Sequence, residues 1–337
     1  MITDSTVTAC IDVHSHFFPL EVLDALRTQG GRYRTPVRTE ADGRVFVVTP
    51  ERPYGPIGPG FYDLELRLKF MQAEGITTQV LCAPPFLFYY WLDARAALDV
   101  IRMENDAIAV AVAEHPERFI GLGTIPLQDV RLAVQECERI AGRGLRGVEI
   151  GSNVDGRDLD GDQFRPFFEA AEALGLAILI HGGNVASGDR MDDYHLRNLV
   201  GFPADTTLAA ARLIFSGVLD RFPRLRICIA QAGGFLPYVA GRFDHGYAVR
   251  PECRRFIAQA PSDYLRRLYF DTITHSPRVL RLLLDTVGSE RIMLGSDFPF
   301  DMGAPNPRSV VTAQADLPPA ALSSIYTDTA REFLGFR

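Results

Sequence analysis

The segment Ile11-Asp12-Val13-His14-Ser15-His16 sets two imidazoles two residues apart at the end of a short apolar run near the N-terminus. In an extended strand, residues two apart share a face, so His14 and His16 are expected to point the same way, together with Asp12. Two neutral imidazoles on one face make half of a divalent-metal site, provided other strands deliver further ligands. Two later segments have that form. Ile178-Leu179-Ile180-His181 and Met293-Leu294-Gly295-Ser296-Asp297 are hydrophobic runs that each end in a potential ligand. A His-x-His pair alone fits two hydrogen-bonded histidines equally well. The repetition at three run ends is what points to a metal.

The same runs set the fold class. Strands are predicted over residues 9–13, 78–83, 119–124, 147–150, 177–180, 226–230, 268–270 and 292–294, with helices over 64–74, 94–114, 129–141, 164–174, 206–216 and 277–287. Gly75, Gly175 and Gly288 fall where helix C-caps are needed. Eight strands alternating with helices specify an α/β protein, a single (β/α)8 barrel (TIM barrel) over residues 1–337. In such a barrel the chemistry sits at the carboxyl ends of the strands, where His14, His16, His181 and Asp297 all fall. The Gly- and Pro-rich stretch from Thr35 to Tyr62 breaks the alternation. It contains Val45-Phe46-Val47-Val48 and Pro56-Ile57-Gly58-Pro59-Gly60, and reads as an inserted hairpin and loop placed to cover a substrate at the barrel mouth.

A chain of 337 residues with 47% hydrophobic content can bury a large core. Its net charge of -7, pI near 5.6 and scattered basic residues argue against a nucleic-acid partner. Lys69 is the sole lysine, in an amphipathic helical stretch, so a metal pair bridged by a carboxylated lysine would depend on it; one metal ion is the better expectation. Cys10, Cys82, Cys137, Cys228 and Cys253 are widely spaced and odd in number, which suits free thiols in a reducing compartment. With no targeting pattern or membrane-length apolar run, a cytoplasmic protein without membrane partners is expected.

Taken together, several motifs resemble the amidohydrolase superfamily, in the branch of aminocarboxymuconate-semialdehyde decarboxylase and the hydroxybenzoate decarboxylases. They are Asp12-Val13-His14-Ser15-His16, Pro116-Glu117-Arg118-Phe119, Gly147-Val148-Glu149-Ile150-Gly151-Ser152-Asn153, Gly201-Phe202-Pro203, Gly241-Arg242-Phe243-Asp244 and Gly295-Ser296-Asp297-Phe298-Pro299. The resemblance implies that His14, His16, His181 and Asp297 hold one divalent metal. Zinc suits that ligand set, and manganese is compatible with it. It further implies that Arg242 grips a substrate carboxylate, in some members from the neighbouring subunit of a homodimer, through its planar fork. Phe298 and Asn184 are expected at the substrate.

One position departs from the family. A histidine usually follows the sixth strand, whereas this chain reads Ile229-Ala230-Gln231-Ala232-Gly233-Gly234. Gln231 can orient and hydrogen-bond but cannot shuttle a proton near neutral pH. Either His275, after the seventh strand, or Asp297 takes over the proton transfer, or the reaction needs no hydroxide, or catalysis has been lost and a binding protein remains. His195 is read as a surface or supporting residue, His115 as a helix-end residue and His245 as a subunit contact. The run Phe86-Leu87-Phe88-Tyr89-Tyr90-Trp91 offers stacking surfaces for a planar ring. The expected activity is nonoxidative decarboxylation of an aromatic or unsaturated carboxylic acid, with metal-dependent hydrolysis or hydration as the alternative.

Overall fold

Eight short strands form one parallel sheet in chain order: β1 (Ile11–Asp12), β2 (Thr78–Leu81), β3 (Phe119–Gly123), β4 (Gly147–Gly151), β5 (Ala177–His181), β6 (Arg226–Ile229), β7 (Tyr269–Asp271) and β8 (Ile292–Met293). Each lies within one residue of a predicted run. The structure, a computed structural model, describes residues 9–186 and 188–336. The targeting-free reading of the N-terminus falls partly on residues 1–8, outside the described residues. The sheet curls until its ends meet: Val13 N–H donates to the Leu294 carbonyl (2.9 Å) and Asp297 N–H to the His14 carbonyl (2.8 Å). This is the expected (β/α)8 barrel, and among the described residues no helix is long and apolar enough to cross a membrane.

The two-residue period of the strands sorts the core. In β5, Ile178 and Ile180 join the cluster between sheet and helices, whereas Ala177 and Leu179 pack with Val13, Leu122 and Met293 in a second cluster inside the ring of strands. His181 continues that inner face at the strand end. In β4 the corresponding inner position is held by Glu149, between Val148 and Ile150 of the outer cluster. The surrounding helices begin where a carboxylate caps them. Asp63, Asp93 and Asp129 accept from Leu66 N, Arg95 N and Leu132 N at 3.0–3.1 Å, each worth about 1 kcal/mol. Gly175, with φ 65°, supplies the left-handed C-cap expected of it.

The insertion is a three-stranded antiparallel sheet, Val37–Thr39, Val45–Val48 and Pro53–Tyr54, one short strand more than the expected hairpin. Val47, Ile57 and Phe61 anchor it in a satellite core with Phe18, Leu23, Phe86 and Leu87. That packing sets residues 49–55 against the barrel mouth. All five cysteines are free, as expected.

Candidate metal centre

β1 ends at Asp12 because its own side chain turns the backbone: Asp12 Oδ1 accepts the N–H of His14 (3.3 Å). The strand alternation therefore does not carry past Asp12, and this carboxylate does not join the imidazoles as the spacing suggested. It is instead satisfied by Gln79 Nε2 (2.7 Å), Ser296 N (3.0 Å) and Ser296 Oγ (2.6 Å), which stitch β1 to its neighbours on both sides.

Beyond that turn, His14 and His16 meet His181 from β5 and Asp297 from the loop after β8. One donor atom from each lies within 4.8 Å of the others, and all four residues are buried. The three rings stand nearly perpendicular to one another, with centroids 5.1–5.5 Å apart. His14 Nε2 and His16 Nε2 are 3.2 Å apart, and Asp297 Oδ1 is 3.0 Å from His16 Nε2 and 3.6 Å from His14 Nε2. These spacings match the edges of a tetrahedron, about 3.3 Å, around an ion with bonds of roughly 2.0–2.1 Å.

The opposite ring edges fix the tautomers. His14 Nδ1 lies 2.8 Å from Asp271 Oδ2, His181 Nδ1 2.7 Å from the Gly182 carbonyl, and His16 Nδ1 3.3 Å from the Ala83 carbonyl. Carboxylates and carbonyls only accept, so each ring donates from Nδ1 and turns Nε2 inward, where its lone pair can ligate an ion once that nitrogen is deprotonated. Asp297 Oδ1 is buried and accepts no ordinary hydrogen bond. Three converging lone pairs and an unsatisfied carboxylate oxygen fit a divalent cation.

Burial and the neighbouring imidazoles hold His181 down to about 3, which keeps its ring neutral. For His14, burial opposes the charge, but the Asp271 hydrogen bond and the nearby carboxylates outweigh it and push the ring up to about 9. Asp297 is buried too, yet His16, His14 and His181 pull its carboxyl below the usual range. Glu149, also buried, sits 3.8 Å from His16 Nδ1 with neither oxygen hydrogen-bonded; burial raises its carboxyl.

A cavity of about 550 Å³ opens onto this cluster, lined at its floor by His181, Gln231 and Asp297. Gln231 Nε2 lies 2.8 Å from His181 Nε2, and its backbone is left-handed (φ 50°), held by Asp271 Oδ2 (2.9 Å). Phe86, Phe88, Tyr90 and Trp91 line the wall, while Leu87 and Tyr89 turn into the satellite core. Asn184 lines the cavity, and its carbonyl accepts from Asn153 Nδ2 (2.6 Å). Lys69 is exposed on its helix.

Four sequence-based assignments change. Phe298 does not line the cavity: its ring stacks on Phe70 (4.3 Å) beneath the Arg67 guanidinium (4.9 Å), and Phe300 takes the lining place. Arg242 is exposed on the helix Leu236–Val249 and lines no part of its own chain's cavity. His275 is exposed and lines a neighbouring, mostly apolar cavity that meets the first at Gln231 and Asp297. His195, read as peripheral, lines the cavity itself. Sequence reasoning also passed over Arg52, which lines the cavity from the insertion and lies over Tyr54 (4.8 Å). Its only signal was that it is one of three arginines, with Arg38 and Arg44, in the Gly- and Pro-rich insertion.

Known proteins resemble this chain in sequence and fold. The chain is 33% identical over 327 residues to a 2-amino-3-carboxymuconate-6-semialdehyde decarboxylase of Dictyostelium discoideum, covering 96% of this chain and 91% of the relative. It is 32% identical to a gamma-resorcylate decarboxylase of Rhizobium radiobacter, over 70% of this chain and 77% of the relative. The crystal structure of 5-carboxyvanillate decarboxylase from Sphingomonas paucimobilis superposes with a TM-score of 0.84 at 27% identity, covering 98% of this chain and all of that one. A dihydroxybenzoic acid decarboxylase from Polaromonas, solved with manganese and 2-nitroresorcinol, shares the fold (TM-score 0.79, 24% identity, 98% and 97% covered). An amidohydrolase family model matches residues 11–336, and the chain belongs to the amidohydrolase family.

Proposed function

We propose that this protein is a metal-dependent nonoxidative decarboxylase of an aromatic or unsaturated carboxylic acid. The convergence of three Nδ1-anchored imidazoles with Asp297 at the floor of an aromatic-walled cavity carries this reading. Its likeness to named decarboxylases over nearly its whole length supports it. His14, His16, His181 and Asp297 would hold one divalent ion. When bound, that ion supplies Lewis-acid polarisation of the departing carboxylate and an adjacent oxygen or nitrogen substituent. Zinc suits the ligand set and manganese is the second candidate.

The chain's own residues do the rest. Phe86 and Phe300 present aromatic surface to a planar substrate, and Arg52, stacked on Tyr54, pairs with a carboxylate or other acidic group remote from the cluster. The carbon–carbon bond breaks, its electron pair stays on the substrate carbon, carbon dioxide leaves, and that carbon takes a proton. Asp297 moves this proton, while Gln231 orients the substrate without titrating. Arg242 can reach a substrate only across a homodimer, whose existence sedimentation would test. Five free thiols suit a cytoplasmic setting.

Metal-loaded protein is to be offered hydroxybenzoates, muconate-type acids, lactones and amides. Chelator-sensitive release of carbon dioxide from an acid supports the reading; hydrolysis of a lactone or amide without it would overturn it.

A further inference from the structure

Every decarboxylation of this kind consumes one proton, which must come from solvent to a cluster whose members are all buried. Gln231, at the position where the resembling family has a titrating histidine, cannot carry it. We infer that His195 is the proton carrier of this chain, returning the proton from solvent to the cavity after each turnover; this rests on the decarboxylase reading above.

The imidazoles that line the cavity are His181 and His195, and His181 is committed to the cluster. His195 is exposed on one side and forms the cavity wall on the other, so one ring meets both ends of the route. Among the described residues, neither of its ring nitrogens is taken up in a hydrogen bond. The backbone shows what holds it there. Tyr194 and His195 are consecutive left-handed residues (φ 55° and 60°), a costly pairing for non-glycine residues. The His195 carbonyl accepts from both Asn198 N (3.0 Å) and Leu199 N (3.1 Å), which fixes that turn at the start of the irregular Arg197–Gly201 segment. His275 is also exposed, and its neighbouring apolar cavity shares Gln231 and Asp297 with the first, but it does not line the aromatic-walled space that holds His181, Asn184 and Arg52. The charged groups that share the cavity with His195 are Glu51, Arg52, Asp155 and the exposed Asp301 at the wall and the buried Asp297 at the floor; Asp192, Asp193 and Arg197 flank it in its own loop.

In the balanced step, the carbon–carbon bond breaks, carbon dioxide departs, and the substrate carbon gains one proton from the cavity. His195 supplies that proton to the cavity and is itself reprotonated by water or buffer.

The test compares His195→Gln and His275→Gln with the wild type, each as metal-loaded protein with its metal content measured. His195→Gln is expected to lower kcat about 100-fold with KM little changed and metal content intact. Added imidazole, or Gln231→His in the same chain, is expected to restore most of the lost rate. Unchanged kcat in His195→Gln, a loss confined to KM, a loss that neither rescue repairs, or a loss appearing in His275→Gln instead would overturn the assignment. Wild-type protein that releases no carbon dioxide from any acid would overturn the decarboxylase reading as well, before any variant is compared.

Discussion

Asp271 Oδ2 lies 2.8 Å from His14 Nδ1, and the same carboxylate accepts the backbone N–H groups of Gln231 (2.9 Å), Ala232 (2.8 Å) and Ile273 (3.0 Å). One buried acid at the end of β7 therefore sets the tautomer of a metal ligand and the left-handed loop that carries Gln231.

Replacing Asp271 with Asn keeps the shape but puts an amide NH2 where two of the four donors already point, whichever oxygen it replaces. Metal affinity is expected to fall by about 10–100-fold, measured by competition with a chromogenic chelator. Unchanged affinity would mean that His14 is oriented by other contacts.

The proton on His14 should exchange for the metal. Folded His14 titrates at about 9, above its ordinary 6.5, so its stabilisation of the metal-free protein is complete below pH 6.5 and is lost as pH rises toward 9. His181, held down to about 3, titrates outside that window. The melting temperature of metal-free protein is expected to fall across pH 6.5–9, and metal binding at pH 7 should release a proton. Calorimetry in buffers of different ionisation enthalpy reads that release directly; a heat independent of buffer would contradict it.

Arg67 is a fully buried guanidinium whose hydrogen-bond partners are all neutral. It donates to Ser15 Oγ (3.1 Å), Gln79 Oε1 (2.8 Å) and the carbonyls of His16 and Gly60, joining the metal-ligand segment to the insertion. Arg67→Met strands those acceptors and is expected to destabilise the fold by about 3–5 kcal/mol in chemical denaturation. A loss below about 1 kcal/mol would show that water or neighbouring donors replace it.

Arg52 distinguishes acids by their second charge. Arg52→Gln is expected to raise KM about 10–100-fold for substrates with an acidic group remote from the departing carboxylate, and to change it little for the others. Equal effects on both classes would assign Arg52 to packing on Tyr54.

The barrel was legible because hydrophobic period and turn chemistry are local, and each observed barrel strand lies within one residue of a predicted run. The four-residue cluster was legible because strand ends of a parallel barrel must converge. What escaped depended on loop backbone. The Asx turn at Asp12 removed it from the site, and the left-handed turn at Tyr194-His195 brought His195 into the cavity wall. Phe298 shares a motif with Asp297, yet the chain direction after the ligand turns its ring to Phe70 and gives the cavity Phe300. Asp271 gave no sign because its partners are distant in sequence or are backbone groups that no residue pattern marks.

The central claim is tested most directly by measuring metal content and carbon dioxide release together on wild type, His14→Ala and Asp297→Ala. One divalent ion per wild-type chain, with both ion and release lost in the variants, is the expected result. A wild type that stays metal-free when grown in metal-rich medium, or variants that release carbon dioxide at the wild-type rate, would contradict it.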